Sequence, residues 1–263
     1  MNVGRVRAVM RREWIELRRN RLVMLTMAIL PLALVGAAIS TTAFLARVPD
    51  SDFRGDVPAG LAPQLQALGR GRDALLALVS DQYLSMLLLI ALALPSTIAA
   101  HAIVGEKVER TLEPLLATPI ATGDLLLGKC LAAVIPATLI TQLAYGITLF
   151  GFWRTCPPAV FALSIRPVWP VAFLAVTPVL ALLSALAAIV ASSRVNDPRT
   201  AQGLVGFLVI PVIVMGISTV MGELFLDVRL LLWGAGALLV IDALALAIAV
   251  RLFSREAILT RWK

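Results

Sequence analysis

Six long runs without Asp, Glu, Lys or Arg govern what this chain can become. They cover residues 22–46, 82–105, 130–153, 167–193, 200–222 and 230–250, the last broken only by Asp242. A helix of about 20 residues spans a hydrocarbon core roughly 30 Å thick, so every run is long enough to cross a bilayer. In lipid the backbone must satisfy its own hydrogen bonds within the segment, which predicts helices, and the strict alternation of barrel strands is absent. Only 15% of the 263 residues are charged, against about 25% in a soluble domain. The sequence therefore predicts one all-α membrane domain of six transmembrane helices over residues 1–263. Pro31, Pro95, Pro136, Pro178 and Pro211 fall inside the predicted spans, and each removes a helix hydrogen bond and invites a kink.

The basic residues set the orientation. With both termini cytoplasmic, segments 1–21, 106–129, 194–199 and 251–263 hold 16 of the 23 Lys and Arg residues. The opposite segments 47–81, 154–166 and 223–229 hold the other seven. That is the positive-inside asymmetry, and it accounts for the net charge of +7 without a nucleic-acid partner. The first run is too long for a cleaved signal core and is followed by five more, so it reads as a span. Before it, Val3, Val6, Met10, Trp14 and Leu17 fall on one face, with arginines on the others. This predicts an in-plane amphipathic helix over 1–21, held by anionic lipid, by a soluble partner, or by both. In the external loop 47–81, apolar residues from Leu61 onward suggest a broken helix with Gly69 and Gly71 at the break. It either caps a pathway or covers the second span.

Between the second and third runs lies GEKVERTLEPLLATPIATGDLLLGK, residues 105–129. Its charges, Glu106, Lys107, Glu109, Arg110, Glu113, Asp124 and Lys129, alternate in sign, unlike a lipid-binding basic patch. Val108, Leu112, Leu115 and Leu116 recur at three- and four-residue steps, the period of a short amphipathic helix that Pro119 ends. Asp124 is placed to cap the next helix. Such a helix is suited to dock on a soluble partner; the bland alternative is a loop whose charges only keep it wet.

The order Glu106, Glu109, Thr111-Leu112-Glu113, Leu115-Leu116, Thr118-Pro119 and Leu127-Gly128-Lys129 resembles the signature of type 2 ABC-transporter permeases. Many members carry Gly before the Thr-Leu-Glu triplet, where this chain has Arg110. The resemblance extends loosely to the N-terminal helix and to the tail Arg251–Glu256. It implies a coupling helix within 106–129 that contacts a separate ABC-type ATP-binding subunit, with Glu106, Glu109, Arg110, Thr111, Leu112, Glu113, Leu116 and Pro119 carrying the contact. It also implies a homodimer of this permease with two such subunits, multi-pass in the prokaryotic cytoplasmic membrane, with export as the usual direction. The chain has no GxxxxGK[ST] loop, HExxH or GxSxG motif. ATP and Mg are accordingly expected on the partner subunit, with no cofactor in this chain.

Three further features invite a role within the spans. Asp242 is the one acid well inside a run, and such residues usually face a bundle interior. It binds a proton or cation, or pairs with a facing helix. Thr138, Thr141, Gln142 and Tyr145 form a polar stripe on the third span that either lines a substrate or proton path or glues two helices. His101, the sole histidine, is more often a satisfied packing residue than a ligand. Cys130 and Cys156 sit at opposite ends of one helix, too far apart to pair within a chain. Two rival classes remain: an intramembrane enzyme built on His101 and Asp242, and a non-transporting scaffold or assembly factor.

Overall fold

The structure, a computed structural model, describes residues 3–49, 71–108, 121–195, 197–220 and 227–252. These residues are almost all helical, with no strand among them. Helix α1, Val3–Arg19, is followed at once by α2, Arg21–Leu45. The break falls at Asn20, whose extended backbone and side-chain carbonyl cap α2 by accepting from the Val23 amide.

Helices α3, Gly71–Leu87, and α4, Ile90–Val108, are joined at Leu88 and Leu89 by tight turns of i to i−3 hydrogen bonds. Helix α5 runs unbroken for 34 residues, Thr122–Thr155. Then come α6, Pro158–Ser164, and α7, Val168–Val171, which passes through a π-helical turn at Ala172–Val176 into α8, Thr177–Arg194. Helix α9, Pro198–Val205, leads through a 3-10 turn into α10, Val209–Val220, and α11 covers Val228–Leu252. Asp197 caps α9, and the hydrogen bonds it accepts from the Thr200 amide and hydroxyl hold its carboxyl below the usual range.

Five helical segments are long and apolar enough to cross a membrane: Val23–Leu45, Gly71–Glu106, Thr122–Thr155, Pro158–Ser193 and Val228–Leu252. The predicted run 200–222 is described as far as Val220, where it forms α9, the 3-10 turn and α10, with an apolar helical stretch over Arg199–Val214. Two helices reach beyond their apolar runs. Helix α3 starts eleven residues before Gln82, so the last part of segment 47–81 is helix, and α5 starts eight residues before Cys130. The reason is the same in both: the charges that ended the runs, Asp81 and Lys129, are paired against neighbouring helices.

The core is built on the α4–α8 pair, the most extensive helix contact. Ile90, Ala91 and Ala100 of α4 and Ala181, Ala185, Ala188 and Ile189 of α8 are wholly buried. Alanines on α8 let the two backbones approach closely, and the Ser184 hydroxyl donates across to the Leu92 carbonyl. Helix α5 carries the N-terminal helices: α2 lies along it with Ile39 against Gly151, and α1 lies on it with Val9 against Gly128.

One detail of α1 differs from the sequence expectation. Its buried face runs through Val6, Val9 and Glu13, with Met10, Trp14 and Leu17 half-buried, while Val3 is exposed. The helix is turned toward α5, where Glu13 finds a cation and the Trp14 indole donates to the Ala132 carbonyl at 3.0 Å.

Candidate functional site

The end of the bundle where α4 stops and α5 starts holds the densest charge in the described structure. Glu106 lies in the last turn of α4 and Lys129 in the second turn of α5, while Glu13 comes from α1. The Lys129 ammonium sits 2.5 Å from Glu13 Oε1 and 2.9 Å from Glu106 Oε2. Arg12 Nη2 lies 3.3 Å from Glu106 Oε1. The side chains of Lys129 and Glu106 are 1% and 2% exposed, whereas that of Arg12 is 47% exposed.

Buried charges are tolerated only when paired and hydrogen-bonded, so three elements are locked together by one ammonium. The cluster balances two cations against two anions. It fixes both limbs of segment 106–129 to each other and to α1. The remaining residues of the expected coupling contact, Glu109, Arg110, Thr111, Leu112, Glu113, Leu116 and Pro119, lie outside the described residues.

Gly128 shows why the residue before Lys129 is small. A Cβ there would stand 2.8 Å from Cβ and Cγ1 of Val9 and 3.2 Å from the Val6 carbonyl oxygen. Asp124 is not the helix cap. Ala121 occupies that position, and Asp124 is buried within the first turn, where the helix dipole favours a negative charge.

Beside the cluster, Trp14, Leu17, Asn20, His101 and Ala132 line a cavity of about 50 Å³ together with Lys129. His101 uses Nδ1 on its own helix, 2.8 Å from the Thr97 carbonyl, which fits a packing residue. No hydrogen bond links it to Asp242. Among the described residues, no three of His, Cys, Asp and Glu gather to hold a metal ion.

The polar stripe on α5 divides. Thr138 and Thr141 donate back to the Val134 and Ala137 carbonyls at 2.7 and 2.8 Å. Gln142 reaches across to the Phe173 carbonyl and to Thr177 Oγ1, and the Thr177 hydroxyl donates to that same carbonyl. The π turn supplies the reason. The Thr177 amide bonds to the Ala172 carbonyl five residues back, so the next carbonyl, Phe173, faces Pro178, which has no N–H. Gln142 and Thr177 satisfy it instead, and the Tyr145 ring stacks on Phe173 at 4.0 Å and 9°. Gln142→Leu is expected to cost about 1–2 kcal/mol, a range set by interhelical hydrogen bonds in membranes. Thermal unfolding in a fixed detergent checks it, with Thr138→Val, which removes only a same-helix bond, as the milder comparison.

Sequence reasoning missed a second clamp, at the other end of the bundle. Asp81 of α3 accepts from Arg166 Nη2 at 3.0 Å and from Trp169 Nε1 at 3.1 Å, fastening α3 to the start of α7. Asp242 is buried in α11 with no hydrogen-bond partner among the described residues. Cys130 and Cys156 are both free thiols, and burial pushes the half-buried Cys156 thiol up.

Several apolar helices of bilayer length among the described residues point to a multi-pass membrane protein. Residues 7–230 match the family described as ABC-2 family transporter protein, and the chain belongs to that family. It is thus the membrane component of a transporter, not itself an enzyme, in a family that normally works with an ATP-binding subunit. Among curated proteins, none matches the chain.

Proposed function

We propose that this chain is the permease subunit of an ATP-driven exporter in a prokaryotic cytoplasmic membrane. Six spans place both termini in the cytoplasm, and two copies assemble with two ATP-binding subunits that hold ATP and Mg. Substrate crosses at or near the interface between the copies. A largely apolar pathway favours an amphipathic substrate over a free ion.

The observation that supports this best is the buried cluster of Arg12, Glu13, Glu106 and Lys129. A segment that only kept itself wet would not need its two limbs tied to each other and to an N-terminal helix. A segment that receives force from a soluble partner does, because a loose loop would absorb the displacement. Glu109, Arg110, Thr111, Leu112, Glu113, Leu116 and Pro119 make the contact in this reading, and Glu106 anchors it.

Tagged protein drawn from native membranes in mild detergent is expected to bring an ATP-binding subunit at one-to-one stoichiometry. Reversing the charges of Glu109 and Glu113 together is expected to abolish permease-dependent stimulation of that ATPase while leaving membrane insertion intact. Recovery of the chain alone, or wild-type transport by the double variant, would overturn the proposal.

A further inference from the structure

We propose that Asp242 is a proton-binding site that latches α11 to the rest of the bundle. The inference rests on the membrane placement of α11 and is independent of ATP coupling.

Of the five membrane-length segments, α11 is the least enclosed. Its buried stripe consists of Leu231, Ala235, Asp242 and Ala249, while Trp233, Leu239, Val240, Ile241, Leu244 and Ile248 are exposed. An acid therefore sits in the buried stripe of the least enclosed span. Asp242 is 3% exposed, and neither carboxyl oxygen has a hydrogen-bond partner among the described residues.

Among the described residues, the helices packed against it offer Asp242 no counter-charge. Helix α8 is the main neighbour, and between Thr177 and Ser193 it carries no titratable side chain; neither does the π turn nor α7. Helix α5 approaches α11 at Gly123, whose Cβ position lies 3.8 Å from Val250. Seven residues along α5 and eight back along α11 from that point are Cys130 and Asp242, which places the two at similar depth. Lys129 and Asp124 lie nearer the end of α5, and the Lys129 ammonium is held by Glu13 and Glu106.

An ionised carboxylate without a partner is not stable in such a place, whereas a neutral acid is. A metal cation would need several oxygen ligands, and an Ala/Leu stripe supplies none. The ligand that the geometry accommodates is a proton. With it bound, α11 closes against α5 and α8. When α11 lifts and water reaches the carboxyl, the proton leaves, and the contact cannot re-form until one returns. Rising pH thus favours the lifted state.

Cys130 reports on this contact, because it is wholly buried on α5 at about the depth of Asp242. In a Cys156→Ser background, the rate of Cys130 alkylation by N-ethylmaleimide would be measured from mildly acid to mildly alkaline pH, with and without Asp242→Asn. Dividing the two rates removes the ordinary pH dependence of a thiol. The ratio is expected to be near one at acid pH and to rise with pH, by up to about tenfold per pH unit for one released proton. A ratio that stays constant overturns the proposal. Infrared spectra of the wild-type chain carrying carboxyl-labelled aspartate need no variant to fold. A carboxylic-acid carbonyl band at neutral pH supports the site, and carboxylate bands alone overturn it.

Discussion

Replacing Lys129 by Met is expected to destabilise the protein by about 3–5 kcal/mol, the usual cost of removing one partner from a buried ion pair. Lys129 is the only group that touches both Glu13 and Glu106 among the contacts described, and all three side chains are at most 8% exposed. Without the ammonium, two buried carboxylates lose the cation they share, and the half-exposed Arg12 reaches Glu106 alone of the two. They must then ionise at high cost, take up protons or pull α1 away. Thermal unfolding in a fixed detergent reads the loss.

The companion variants separate the causes. Arg12→Ala should cost less than Lys129→Met, because the Arg12 side chain is half exposed and Lys129 still pairs with Glu106. The triple change Glu13→Gln, Glu106→Gln, Lys129→Met should recover most of the stability, since a neutral cluster carries no unpaired charge. If Lys129→Met alone unfolds at the wild-type temperature, the cluster is not what holds these helices.

Gly128→Val is the second large effect, and its readout is positional. Its Cβ would meet Val9 at 2.8 Å, and the opposing side chain is itself β-branched, with little rotamer freedom to retreat. Overpacking of this kind costs typically 1–3 kcal/mol where neighbours can shift. Here both groups that the new Cβ would meet, the Val9 side chain and the Val6 carbonyl, belong to α1, so that helix is expected to lift from α5. Limited trypsin digestion would then cut at Arg5, Arg7 or Arg11 well before the wild type is nicked. Gly146→Ala, where a Cβ meets nothing within 4 Å, serves as control and should leave the pattern unchanged. Equal protease resistance in both variants would show that α1 does not depend on this contact.

Much of the architecture could be read from the residues, for an identifiable reason. Hydrophobic runs longer than a bilayer have few alternative fates, so α2, α5, α8 and α11 lie where the apolar sequence predicts. The helix ends were less legible, because a charge looks the same in sequence whether it faces water or a partner. Asp81 ended a run on paper yet sits within α3, matched by Arg166 and Trp169, which lie 85 and 88 residues away.

The candidate site divides in the same way. Glu106 was visible from motif order, but its partners were not. Glu13 offered one clue, since its spacing from Val6 and Val9 puts an acid on the buried face of a basic helix. Gln142 was visible as part of a polar stripe. Its target was not, because a carbonyl orphaned by Pro178 appears only once the π turn is known.

The attachment of α1 to α5 also bears on how the protein is made. Trp14 bonds to a carbonyl 118 residues further along the chain, and Glu13 to an ammonium 116 residues further. At 5–20 residues per second, the ribosome needs roughly 6–24 s to produce those partners. Throughout that interval α1 waits without the α5 surface it finally binds, whereas α2 can already pack on α3, where Thr41 meets Tyr83. Docking of α1 is therefore scheduled by completion of α5, and a truncation before residue 129 would leave that helix undocked.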